Sequence, residues 1–145
     1  MGEIRREIIV DATTADLPLV LEFVEAACTA AGIRDDVRFD LQLAAEEACA
    51  NIIEHAYGDE GGAIQLSFAT QEKDVILTVV DHGPPFDPGS VNSPDLSTPL
   101  EERRIGGLGV YLIRTLVDEL IYTLTEEGNV VQMVRRDVVG GQAHA

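Results

Sequence analysis

The chain has 145 residues, with 10 Lys and Arg against 26 Asp and Glu, a formal net charge of −16 with His neutral. That length fits one domain able to bury roughly 70% of its unfolded surface, and 46% hydrophobic with 25% charged residues describes a packed protein rather than an acidic disordered tail. Such a negative excess repels phosphate backbones and anionic lipid, which argues against nucleic acid and membranes as partners.

Residues 4 to 10 (Ile-Arg-Arg-Glu-Ile-Ile-Val) predict a first strand. Asp16 offers an N-cap and Pro18 fits the first turn of a helix in which Leu17, Leu21, Val24 and Cys28 recur at helical spacing, up to a stop at Gly32. A second helix is predicted from about Asp36 to Tyr57, with Val37, Leu41, Ala44, Ala48 and Ile52 as its inner stripe and Gly58 as its end. Two strands follow, Ala63 to Thr70 and Asp74 to Val80, the second apolar enough to be central in a sheet. From about 82 to 105 the chain carries five of its six prolines and no sustained period, a length beyond the roughly 12 to 15 residues at which loops become uncommon, which predicts a functional lid or an insert. Gly106-Gly107-Leu108-Gly109 then opens a third helix, Val110 to about Asp118. Two last strands, Leu120 to Leu124 and Val130 to Arg135, are joined by a predicted turn Glu126-Glu127-Gly128-Asn129. The order predicts an α+β two-layer sandwich, helices on one face of a largely antiparallel sheet. The domain is expected to span 1–136, with a flexible tail over 137–145. Cys28 and Cys49, flanked by alanines on the helices, supply neither a disulfide framework nor metal-ligand spacing and read as buried reduced thiols. A charged N-terminus without an apolar signal segment, and no stretch long enough to span a membrane, predict a cytoplasmic protein.

Three segments exceed what a plain core needs. In Glu46-Glu47-Ala48-Cys49-Ala50-Asn51-Ile52-Ile53-Glu54-His55, the side chains of Glu47, Asn51 and His55 form one polar line at four-residue spacing, about 6 Å of rise apart. A carboxylate there can take a proton from a hydroxyl nucleophile, and a carboxamide oxygen one turn on can coordinate Mg²⁺. The same line is also what the solvated face of any amphipathic helix shows. In Asp81-His82-Gly83-Pro84-Pro85, Asp81 at a strand end can accept from an exocyclic amine such as adenine N6, and Gly83 lets backbone approach a flat ring; Asp and Gly after a strand equally form an ordinary turn. His82 has no second His or Cys at metal spacing and reads as a loop residue. In Arg103-Arg104-Ile105-Gly106-Gly107-Leu108-Gly109, glycines entering a helix present backbone N–H groups to phosphate. This segment lacks the ending of a Walker A loop and does not directly follow a strand, so P-loop and Rossmann readings fail. Lys73, on a strand turn, is the chain's single lysine, so phosphate must be met by arginine or metal.

Glu-x-x-x-Asn on a helix, Asp-x-Gly after a strand, a long lid and Gly-Gly-Leu-Gly before a helix, in that order, resemble the GHKL (histidine kinase-like) ATPase superfamily. Glu-Glu-Ala-Cys-Ala-Asn-Ile-Ile-Glu-His-Ala-Tyr and Gly-Gly-Leu-Gly-Val-Tyr-Leu-Ile are most similar to its anti-sigma-factor serine/threonine kinase branch, of the RsbW and SpoIIAB type. The resemblance runs from the first strand to Arg135. It implies the Bergerat fold, with a mixed, mainly antiparallel sheet, and ATP and Mg²⁺ as cofactors. It implies a kinase that phosphorylates an anti-anti-sigma protein and sequesters a sigma factor, and that is a homodimer. By the same resemblance, Glu47 matches the catalytic base, Asn51 the Mg²⁺ ligand, Asp81 the reader of the adenine amine with Gly83 beneath the ring, and Gly107, Leu108 and Gly109 the phosphate-facing hinge, while Arg103 or Arg104 is placed to meet the γ-phosphate. Phosphoryl transfer needs positioning and charge neutralisation more than covalent chemistry, so this sparse set suffices.

The chain also departs from the branch. Leu21 and Glu22 stand where members often carry a partner-contacting arginine, and the first helix has no basic residue; Gly128-Asn129 stands where Gly-Thr is frequent near the adenine, and Pro84-Pro85 is less usual. The altered first helix keeps a second reading open, a binding module that uses ATP without turnover. A third, a detached histidine-kinase ATPase domain, is weaker because no phosphoacceptor helix is seen before the first strand. ATP in so acidic a protein demands local compensation, so metal dependence is expected to be strict. The acidity itself suits the basic, DNA-binding face of a sigma factor.

Overall fold

The computed structural model describes residues 3–56, 61–84, 112–126 and 128–140. Strands β1 (Arg5–Asp11), β2 (Ala63–Gln71), β3 (Asp74–Asp81), β4 (Glu119–Thr125) and β5 (Gly128–Arg135) form a sheet of order β1-β2-β3-β5-β4 in which every pair is antiparallel. Helices α1 (Leu17–Ala31) and α2 (Asp35–His55) pack together, α1 against β1 and β2 and α2 against β3. The expected two-layer α+β architecture is present, and the sheet is wholly antiparallel among the described strands.

Alternation along the strands builds the core. Leu66, Val79 and Val131 lie side by side across β2, β3 and β5, as do Phe68, Leu77 and Met133, and all six are buried on the helix-bearing face. On the other face Ile9 is 69% exposed. The apolar run of Val75 to Val80 is central, as its continuity predicted, because both neighbours of β3 are strands.

In α2 the predicted stripe of Val37, Leu41, Ala44, Ala48 and Ile52 is buried throughout. Ala44, Ala45, Ala48 and Cys49 make it a small-residue face that can lie close to its neighbours. In α1 the core stripe is Val20, Val24, Ala27, Cys28 and Ala31, whereas Leu17 and Leu21 are only half-buried. The helix is turned so that the Leu21 carbonyl accepts from Gln42 Nε2 of α2 at 2.9 Å. Gly32 ends α1 in the left-handed conformation (φ 70), its N–H donating to Thr29 O while the Ile33 N–H donates to Cys28 O, a pair of bonds that satisfies the last helical carbonyls. Burial pushes both thiols, Cys28 and Cys49, up to about 12, so neither is reactive at neutral pH.

The C-terminal half differs from its sequence reading in three places. Among the described residues the third helix runs over 112–116 and has ended before 118, with Val110 and Tyr111 outside the described part. Arg135 Nη1 donates to Leu116 O and to Asp40 Oδ2, both at 2.9 Å, and the Asp118 N–H donates to Val134 O at 2.7 Å, which draws the chain into β4 before the helix reaches 118. Gly128 and Asn129 belong to β5 rather than to the turn, with Thr125 opposite Gly128 and Leu124 opposite Asn129. Beyond Arg135 the Val138 and Val139 N–H groups both donate to Lys73 O, at 2.8 and 3.0 Å, and Val138 is buried, so packing extends past 136 into the segment expected to be a tail. Residues 141–145 lie outside the described part.

Candidate functional site

Two groups of sequence-predicted residues fall within the described structure. Glu47 and Asn51 lie one turn apart on α2, both half-buried beside the apolar stripe. Burial pushes the Glu47 carboxyl above its ordinary value, and the negative charge of the adjacent Glu46 adds to the effect. A carboxylate held this way is a better proton acceptor near neutrality than a free one. His55 ends the helix, and its side chain lies outside the described part.

The second group is at the end of β3. Asp81 is the strand's last residue and is only 4% exposed. Its Oδ1 accepts from the Gly83 N–H at 2.8 Å and from Asn129 Nδ2 at 3.0 Å, and the same Nδ2 donates to Pro84 O at 2.9 Å. Asn129 is 5% exposed and sits directly across from Asp81 in the β3–β5 register. A buried carboxylate without a cation on it among the described residues is costly unless hydrogen-bonded, and this one is held by an amide and a backbone N–H. Both donors fall on Oδ1, and Oδ2 is the carboxylate's remaining acceptor.

Two glycines make this arrangement sterically possible. A Cβ on Gly128 (φ 133) would lie 2.0 Å from Asp81 O, so only glycine lets β5 begin against the end of β3 and bring Asn129 into register. A Cβ on Gly83 would lie 2.7 Å from Ala56 Cβ and 2.9 Å from Ala56 O, so Gly83 rests against the end of α2. The space beside Gly83 that the sequence suggested for a flat ring is on this side taken by the protein's own helix end. His82 is exposed, as a loop residue should be, and no group of three or more His, Cys, Asp or Glu able to hold a metal exists among the described residues.

Arg103, Arg104, Gly107, Leu108 and Gly109, with the lid from Pro85 onward, lie outside the described residues. Sequence reasoning put Asn129 in a turn and, by the resemblance, where a threonine is frequent near the adenine, but it did not foresee the bond to Asp81. The signal was present as a glycine followed by an amide at the start of a strand. Its meaning depended on a register that no local pattern encodes.

The family model described as a histidine kinase-like ATPase domain matches residues 10–135. The serine-protein kinase RsbW of Bacillus cereus (strain AH820) is 38% identical over 105 residues, covering 70% of this chain and 64% of the relative. RsbW of Halalkalibacterium halodurans is 38% identical over 113 residues, covering 72% of this chain and 67% of the relative. The chain thus spans about 64% of the length of the first of these relatives. Among solved structures, the RsbU and RsbW domains of a Mycobacterium tuberculosis protein align with a TM-score of 0.63 at 18% identity, over 92% of this chain and 32% of that one. The catalytic domain of the histidine kinase ThkA aligns with a TM-score of 0.55 at 17% identity, over 96% and 99%. At these identities the structural likeness establishes the fold.

Proposed function

Since the chain belongs to the histidine kinase-like ATPase family, we propose that it is an ATP- and Mg²⁺-dependent serine/threonine protein kinase that phosphorylates an anti-anti-sigma protein and sequesters a sigma factor. The observation that carries this reading is the way α2 joins the two groups of residues. Gly83 and the Asp81 turn abut Ala56 at one end of the helix. Counting back along α2, Asn51 lies about 7 to 8 Å and Glu47 about 13 to 14 Å from that end at 1.5 Å per residue. Base recognition, phosphate-bound metal and acceptor hydroxyl therefore fall in the order in which an extended nucleotide and its phosphoryl acceptor would need them.

The donor set suits the cofactors. Asp81 Oδ2 accepts from an exocyclic amine, while Asn51 offers Mg²⁺ one neutral oxygen, as befits an ion that keeps water and phosphate ligands rather than an all-protein cage. Bound Mg·ATP supplies the phosphoryl group and the charge neutralisation for its transfer. Glu47, with its elevated proton affinity, takes the proton from the acceptor hydroxyl. The lid over about 82–105, Arg103 or Arg104, and the N–H groups of Gly107, Leu108 and Gly109 cover and hold the phosphates in this reading.

No helix among the described residues is long and apolar enough to cross a membrane, and we place the protein in the cytoplasm as a homodimer built on one kinase domain. Light scattering of the purified chain tests the dimer. Transfer of labelled phosphate from ATP to a cognate anti-anti-sigma protein tests the activity, with Asn51→Ala expected to lose the Mg²⁺-dependent part of ATP affinity. A second reading, an ATP-dependent binding module without turnover, draws on α1, whose exposed positions include Leu19 and Glu22 and which has no basic residue. Partner binding that needs ATP while no phosphate is transferred would select it.

A further inference from the structure

Among the described residues the buried polar side chains are Thr70, Asp81 and Asn129, and the last two are bonded to each other. Asparagine is a poor strand residue, and a buried amide is costly unless its hydrogens are used. Here Asn129 Nδ2 bonds Asp81 Oδ1 at 3.0 Å and Pro84 O at 2.9 Å, while the Gly83 N–H closes on the same Oδ1 at 2.8 Å. Two hydrogens on one nitrogen thus tie a carboxylate and the backbone carbonyl three residues beyond it into one ring of bonds. Carboxylate rotation about the terminal torsion is otherwise broad and two-fold. Placing both donors on one oxygen holds the carboxylate plane and leaves the other oxygen in a set direction to read a ligand.

We infer that Asn129 is a positioning residue that sets the nucleotide preference of this site, by holding Asp81 so that Oδ2 selects purines bearing an exocyclic 6-amino group. The inference deepens the ATP reading above and rests on it. Asn129 touches Asp81 and Pro84, so its effect on the base is exerted through the carboxylate. A purine with a 6-oxo group would set oxygen against oxygen, and one with hydrogen at C6 would leave Oδ2 without its donor.

The test is equilibrium binding of the full chain, by titration calorimetry at neutral pH, to Mg·ATP and to Mg·purine riboside triphosphate, which lacks the 6-amino group. Wild type is expected to prefer ATP about tenfold, the worth of one hydrogen bond to a charged group. Asn129→Leu keeps roughly the side chain's size and removes the donor without adding a charge, and Asn129→Ala removes the side chain. Both variants are expected to bind ATP about tenfold more weakly and the analogue within twofold of wild type, so that the preference disappears. If wild type binds both nucleotides equally, the reading of Asp81 as an amine acceptor fails, and the inference with it. If wild type discriminates and both variants discriminate as well, or if both variants lose the two nucleotides alike, Asn129 is a structural residue and the inference alone is overturned.

Discussion

The α2 face and the end of β3 are built on opposite principles. Glu47 and Asn51 are four residues apart on one helix and half-exposed, so their relation follows from helical spacing and needs no other element. Asp81 is buried, and its orientation depends on β5 through Asn129 and Gly128, on the turn through Gly83 and Pro84, and on α2 through Ala56. A proton acceptor works best where solvent and substrate reach it, whereas a recognition carboxylate gains selectivity from being desolvated and fixed. Changes at Glu47 should therefore alter turnover with little effect on nucleotide affinity, and changes around Asp81 should do the reverse.

The sharpest division comes from Glu47→Ala. Loss of a general base lowers phosphoryl transfer by about 10²- to 10⁴-fold, while Mg·ATP affinity is expected to stay within about twofold. Transfer at the wild-type rate would remove Glu47 from the chemistry. Asp81→Asn should give the converse, an ATP affinity weaker by about 10- to 100-fold with the thermal unfolding midpoint almost unmoved, because an amide can still accept from Gly83 and Asn129. Equal ATP affinity in variant and wild type would return Asp81 to the standing of a turn residue.

Gly128→Ala tests the tertiary side of the contrast. Its Cβ would meet Asp81 O at 2.0 Å in a backbone conformation that suits glycine, so a stability loss of about 1 to 3 kcal/mol is expected, read by urea unfolding. A variant as stable as wild type would mean that β5 can begin elsewhere. The smallest effect is on pH. The Glu47 carboxyl lies above its ordinary value of 4.5, first through burial and then through Glu46. Its ionisation therefore opposes folding, so the stability tied to its protonated form is full below 4.5 and is lost as pH rises through the higher folded value. As the base it must be ionised, so the acid limb of the transfer rate is expected above pH 4.5. Removing the neighbouring charge in Glu46→Gln should move that limb downward by a fraction of a unit, and an unmoved limb would show that Glu46 does not influence the base.

Local periodicity carried much of the architecture. The inner stripe of α2, the central place of β3 and the stop at Gly32 follow from spacing, an apolar run and a left-handed glycine, which are properties of short stretches of chain. The rotation of α1 that buries Val20 in place of Leu21 was not legible, since both lie within the apolar arc and the contact from Gln42 of α2 decides between them. The early end of the helix at 116 depends likewise on Arg135, 19 residues further on.

By itself the sequence determined the order of elements, the burial pattern of helices and sheet, and the shared helical line of Glu47 and Asn51, because each rests on a period of 3.6 or 2 residues that the local order of residues sets. Only the tertiary structure decided that Gly128 and Asn129 belong to a strand, that Asn129 lies across from Asp81, and that Gly83 closes on Ala56. Those relations join residues 48 and 27 positions apart, and strand register and the exclusion of a Cβ by a distant backbone exist only after the chain has folded.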